Sequence, residues 1–194
     1  MALSKKFDEA LSFAAEIHRQ QTRKGAETPY IGHLLSVAGL VLEHGGSETQ
    51  AIAALLHDAI EDQADSFGGA ESLGLKIEER FGADVRAIVE ACTDAWSSNK
   101  PEWWDRKRAY IDHIVQMNPD AVLVSLADKL HNSRNILNDL RTQGDSIFER
   151  FATKREGTLW YYSALAREFA DHYPCPLALE LQRTVNDLSA LAKA

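Results

Sequence analysis

Apolar residues recur every three or four positions along almost the whole chain, and no stretch alternates long enough to read as a strand. From a capped start at Ser4, the positions Phe7, Leu11, Ala14, Ala15 and His18 share one helical face. A polar, basic connector follows, from Gln20 to Pro29. A second helix is expected from about Ile31 to Glu43, ending at Gly45-Gly46. Ser47 caps a third, which carries the apolar run Ala51-Ile-Ala-Ala-Leu-Leu56 and continues through His57-Asp58 to Asp62. The stretch Asp65-Ser-Phe-Gly-Gly69 breaks it. Further helices are expected near 70–81, 83–95, 102–117, 120–139, 146–171 and 175–192, with breaks at Asn118-Pro119 and Gly144. No internal repeat, low-complexity tract or linker divides the chain. The pattern predicts an all-α protein, one helical domain over residues 1–194 packed around one core.

Polar residues interrupt this pattern in two informative places. On the third helix a turn of about 100° per residue puts Glu61 about 40°, Asp58 about 100° and Asp62 about 140° from His57. All four then share one side of a helix whose other face is Ala, Ile and Leu. A second apolar run, Val122-Leu-Val-Ser-Leu-Ala127, leads into Asp128, and the same count places Asn132 and Asn135 within about 40° of it. His131 flanks that stripe. With His33 upstream, His57, Asp58 and Asp128 make two imidazoles and two carboxylates, a nitrogen and oxygen donor set suited to a divalent metal. Such a metal activates water. The chain therefore reads as a metal-dependent hydrolase.

Composition narrows the picture. The 194 residues are 45% hydrophobic with 11 Gly and 5 Pro, as in an ordered globular protein. The net charge of −8 disfavours binding to a nucleic acid polymer, which needs a basic surface. The apolar run at 51–56 is too short to span a membrane, and the N-terminus lacks the apolar segment of a signal peptide. Cys92 and Cys175 form no CxxC pattern, so a disulfide framework is not expected and a reducing cytoplasm is.

Three segments together carry a family resemblance: Thr28-Pro-Tyr-Ile-Gly-His33, His57-Asp-Ala-Ile-Glu-Asp62 and Leu126-Ala-Asp-Lys-Leu-His-Asn132. The chain resembles the hydrolase domain of the RelA/SpoT family, and in particular the small single-domain alarmone hydrolases of the HD superfamily. The likeness extends from about residue 4 to about residue 170. It implies that His33, His57, Asp58 and Asp128 bind one Mn²⁺. It also implies that Glu61 and Asp62 act on the water and the reacting phosphate, with Arg23 and Lys24 at the nucleotide and Asn132 as a ligand-contacting amide. The family places further contacts in a late helix, where Lys154, Arg155 and Tyr161 are the candidates within a basic-aromatic stretch. The implied reaction removes pyrophosphate from the 3′ position of guanosine tetra- or pentaphosphate, giving GDP or GTP. Only hydrolysis is expected, since the chain has no room for a synthetase domain.

Two other readings compete with this one. Another HD phosphohydrolase would act on a different 3′-phosphorylated nucleotide or on a nucleotide monophosphate. A non-enzymatic nucleotide sensor would keep the fold without turnover. Arg23-Lys24 and the intact Glu61-Asp62 favour the alarmone reading. Gln63 departs from the Thr of many relatives, a change expected to affect packing more than chemistry. Trp103-Trp104 is expected to anchor a helix start in the core, and the loop Trp96–Pro101 to border the pocket.

Overall fold

The computed structural model describes residues 2–93 and 101–193. Among these the regular structure is helical: α1 (Lys5–Ile17), α2 (Ile31–Glu43), α3 (Glu48–Leu56), α4 (Ala59–Gln63), α5 (Ala70–Phe81), α6 (Ala83–Cys92), α7 (Trp103–Ile114), α8 (Pro119–Gln143), α9 (Lys154–His172) and α10 (Pro176–Leu191). Short 3₁₀ segments cover Ala64–Phe67 and Gly144–Arg150. The chain divides into two compact units, residues 1–100 with 117–125, and residues 101–116 with 126–194. The boundary falls inside α8. Most of the loop at Trp96–Pro101 lies outside the described residues.

In the first unit α3 is the central element, because its sequence leaves it no polar face. Every residue from Ala51 to Leu56 is buried, and α1, α2 and α6 pack around it. Its start is fixed by a reciprocal cap: Gln50 N–H donates to Ser47 Oγ, and Ser47 N–H donates to Gln50 Oε1 at 2.8 Å. The Gln50 amide also donates to the Asp120 carbonyl at 3.0 Å. Before it, Gly45 at φ +79° turns the chain out of α2, and Gly46 N–H donates to the Val41 carbonyl at 2.8 Å. Farther along, the Arg86 guanidinium donates to Glu71, Glu78 and Glu90, tying α5 to α6.

The expected third helix does not run unbroken to Asp62. It stops at Leu56, and α4 begins at Ala59. Asp58 stands between them at φ −97°, ψ 0°, outside helical geometry, while its carbonyl accepts from Asp62 N–H to open α4. Angles counted across this break do not hold. The cause is competition between the backbone repeat and side-chain demand: Asp58 is drawn to three polar partners described below, and α3 ends where that pull begins. The connector also differs from a plain loop. Thr22 and Pro29 form an isolated antiparallel bridge, with Arg23 N–H donating to the Thr28 carbonyl and Tyr30 N–H to the Gln21 carbonyl.

In the second unit Ile136, Leu137, Leu140, Ile147, Phe148, Leu188 and Ala192 form an apolar cluster, with Phe151, Leu159 and Tyr162 against it. The expected helix over 146–171 is instead a 3₁₀ segment, a break at extended Phe151, and then α9. Lys154 opens α9 at φ +49°, and Gly157 is required there because a Cβ would meet Thr153 Oγ1 at 2.1 Å. Trp103 and Trp104 are half-buried rather than core anchors; Trp103 meets Trp160 of α9 edge-on and Trp104 meets it in a tilted arrangement.

Gly46 yields a direct test of this packing. An added Cβ would lie 2.5 Å from Val41 Cγ1 and 2.8 Å from the Val41 carbonyl oxygen. Gly46→Ala should lower unfolding free energy by about 1–3 kcal/mol, the usual cost of overpacking, measured by urea denaturation. A variant as stable as the parent would show that the α2–α3 turn is slack.

Candidate metal centre and its surroundings

The group that could hold a metal comes from one buried position of α2, His33, and from His57 and Asp58 in the break between α3 and α4. One donor atom from each of His33, His57 and Asp58 lies within 4.8 Å of the others. The distances to Asp58 Oδ2 are 3.0 Å from His57 Nε2 and 3.5 Å from His33 Nε2. The two imidazoles are almost fully buried and meet edge to face at 5.2 Å. His57 Nδ1–H donates to the Ala54 carbonyl at 2.8 Å. That bond selects the tautomer and leaves the Nε2 lone pair directed at Asp58, as a ligating histidine needs. Two imidazoles and one carboxylate brought together in this way are a nitrogen and oxygen donor set that fits a divalent cation.

Tyr30 locks the carboxylate. Its hydroxyl donates to Asp58 Oδ2 at 2.6 Å, and its ring meets His33 at 5.4 Å and stacks on His18 at 5.4 Å. Burial pushes the His18 pKa below its ordinary value, opposed by the Gln21 hydrogen bond and by Asp58. His18 is therefore neutral near pH 7. Of the acidic pair on α4, Glu61 is half-buried and Asp62 exposed. Asp62 Oδ2 accepts from Gln21 Nε2 at 2.7 Å. The Arg23 guanidinium lies over the Tyr30 ring, 5.4 Å from its centroid, so it sits beside the centre. Lys24 is exposed at the turn of the connector.

The second unit holds Asp128 in its own tight setting on α8. Lys129 Nζ donates to Asp128 Oδ2 at 2.6 Å, and the Asn132 amide donates to Oδ1. Burial by itself would lower the Lys129 pKa. Asp128, with Tyr110 and Tyr161, more than offsets this and holds it well above the ordinary value. The polar stripe expected on this helix is present, with the Asn135 amide against the His131 ring. In the late helix Lys154 pairs with Glu149 at 3.1 Å and Arg155 with Asp145. Tyr161 is buried beside Trp103 and Tyr162, with Lys107 Nζ 4.8 Å from its ring centroid.

Sequence reading gave no role to Gln21, Tyr30 or Lys129, each of which grips an acidic residue of the candidate set. Tyr30 and Lys129 stand inside the segments quoted for the family resemblance, and that position was their only signal.

A His-His-Asp group in a helical unit, its imidazoles buried and its Asp at a helix break, defines a metal-site protein of the HD type. An HD domain family model matches residues 10–159, and the chain belongs to that family. Among relatives, the guanosine-3′,5′-bis(diphosphate) 3′-pyrophosphohydrolase MESH1 of Xenopus tropicalis is 46% identical over 131 residues, 66% of this chain and 68% of that one. MESH1 of Homo sapiens is 41% identical over the same shares. A solved metazoan ortholog of SpoT, described as hydrolysing ppGpp and acting in starvation responses, superposes with a TM-score of 0.75 at 31% identity, covering 96% of this chain and 97% of that one. Among the described residues, no helix is long and apolar enough to cross a membrane.

Removing a donor tests the centre. His57→Ala should weaken divalent-metal binding, followed by calorimetry, by more than about 100-fold, since losing even a ligand's orienting partner costs about 10–100-fold. Undiminished affinity would remove His57 from the site.

Proposed function

We propose that this protein hydrolyses the 3′-pyrophosphate of guanosine 3′,5′-bis(diphosphate) and of the pentaphosphate, releasing pyrophosphate and GDP or GTP. The observation that carries this is the His33–His57–Asp58 group in a chain that is 46% identical, over 131 residues, to a 3′-pyrophosphohydrolase. The metal is Mn²⁺, with Asp128 as a further ligand on the strength of its Leu126-Ala-Asp128 motif. Residues 1–194 then act as one HD-type domain, a reading supported by the family match across 10–159. Its setting is the cytoplasm.

A bound divalent ion supplies Lewis acidity and makes water acidic enough to attack near neutral pH. The chain's residues do the rest. The water oxygen joins the phosphorus bonded to the ribose 3′ oxygen, that P–O bond breaks, and a proton ends on the 3′ oxygen. Glu61 is the proton-transfer residue and Asp62 its partner. Arg23 and Lys24 hold the nucleotide, Arg23 by a bidentate phosphate contact or by stacking on the base. Its place over Tyr30, next to Asp58, supports this role. Asn132, Lys154, Arg155 and Tyr161 are proposed as further substrate contacts. For the two basic residues this requires exchange of the partners Glu149 and Asp145 for phosphate.

Two variants separate chemistry from binding. Glu61→Gln should lower kcat by about 10²–10⁴ with bound Mn²⁺ unchanged, scored by pyrophosphate release and metal analysis. Normal kcat with poor metal retention would make Glu61 a ligand instead. Arg23→Ala should raise KM more than it lowers kcat, a loss of about 2–3 kcal/mol for a charge-assisted contact. The loss should be larger on the guanosine nucleotide than on a small phosphoester. Equal losses on both, or none, would leave Arg23 a surface residue.

A further inference from the structure

We propose that Gln21 and Gln63 form an amide pair that positions the Asp62 carboxylate, so that both are positioning residues for the hydrolysis proposed above. Gln21 Nε2 donates to Asp62 Oδ2 at 2.7 Å. Gln21 Oε1 accepts from Gln63 Nε2 at 2.6 Å and meets His18 Nδ1 at 2.6 Å. Among these four side chains the two 2.6 Å contacts, shorter than the 3.4 Å between Gln63 Nε2 and His18 Nδ1, select one arrangement of hydrogens. An ionised carboxylate only accepts, so Gln21 must turn its NH₂ toward Asp62. Its carbonyl oxygen then faces Gln63 and His18, and both must donate. Gln63 does so through its amide, and His18 as the Nδ1–H tautomer.

The backing residues decide what Gln21 can do. Without them its amide can rotate by half a turn and present oxygen to oxygen, which repels the carboxylate. Gln63 and His18 hold it against that flip. His18 in turn is 2% exposed and clamped flat on Tyr30, with 23° between the rings. Tyr30 is the residue that donates to Asp58. One layer of four side chains thus connects an exposed acidic residue to the buried metal group. The Gln21 bond favours one rotamer of this exposed carboxylate on a five-residue helix. Gln63 is thus more than a packing substitute for Thr: its longer side chain reaches Gln21 across 42 positions of sequence.

A double-mutant cycle tests the assignment, because it isolates a coupling that a purely structural role does not produce. Gln21→Met keeps the length and removes the amide. It should lower kcat by about 10–100-fold, as misplaced catalytic groups do, with KM and bound Mn²⁺ within about twofold and unfolding unchanged by circular dichroism. Gln63→Met should act in the same direction, and adding it to Gln21→Met should cost nothing more. Adding Gln21→Met to Asp62→Asn should likewise cost nothing more. Losses that multiply in the Asp62→Asn background overturn the proposal. If Gln21→Met fails to fold, the isosteric Gln21→Glu, which turns oxygen toward Asp62, should reproduce the kcat loss, and normal kcat in it overturns the proposal. An arm independent of turnover separates this inference from the hydrolase reading. In the nitrogen–proton NMR spectrum of the wild type, the Gln21 side-chain amide should exchange slowly and shift on Asp62→Asn. That signature in a protein inert toward the nucleotide supports the amide pair and overturns only the hydrolase reading. Fast exchange with no shift overturns the pair.

Discussion

A single carboxylate oxygen organises the first unit. Asp58 Oδ2 takes the Tyr30 hydroxyl at 2.6 Å and stands 3.0 and 3.5 Å from the Nε2 atoms of His57 and His33. Those groups come from the connector, α2 and the α3–α4 junction, so one atom fixes the meeting of three segments. Polar groups buried among Leu34, Leu55 and Leu56 would cost several kcal/mol if left alone. Two of them have partners of defined polarity: Nδ1–H of His57 on the Ala54 carbonyl, and the Asp58 carboxylate under the Tyr30 phenol. The helix break follows from the same demand. Neighbouring residues on an unbroken helix point about 100° apart, so His57 and Asp58 can serve one point only where the repeat lapses.

Asp128 is treated by the same chemistry in the other unit. Both of its oxygens are occupied, one by the Lys129 ammonium and one by the Asn132 amide. The carboxylate is therefore held in one rotamer by groups on its own helix. In both units the acidic residue of the candidate set is oriented by a side chain that is not itself in that set.

Much of the architecture was visible in the chain. The span of α2 agrees with the expected limits at both ends, because an apolar run bounded by Pro29 and Gly45-Gly46 leaves little freedom. The capped start of α3 was equally plain in Ser47, while the reciprocal bond from Gln50 came only with the structure. What escaped was decided by partners distant in sequence. The lapse at Asp58 depends on Tyr30 and His33, and neither affects the local periodicity of residues 51–62. The narrow bridge of Thr22 and Pro29 is too short to show alternation. Gln21 looked like one more polar connector residue, and only its geometry against Asp62 and Gln63 distinguishes it. The late helix misled for the opposite reason: its apolar period continues through 144–150, but the tighter turn there carries Ile147 and Phe148 into the core before α9 starts.

The composition of the His33–His57–Asp58 group also reaches beyond chemistry. An ion seated there has no counterpart in the unfolded chain, where these three residues are scattered. Occupancy therefore draws the equilibrium toward the native state by mass action, at about 1.4 kcal/mol for each tenfold excess over the dissociation constant. The α3–α4 junction, which it would reinforce, has fewer buried apolar residues than α3 itself. Cellular availability of the ion thus becomes a control on how long the protein persists as well as on how fast it works.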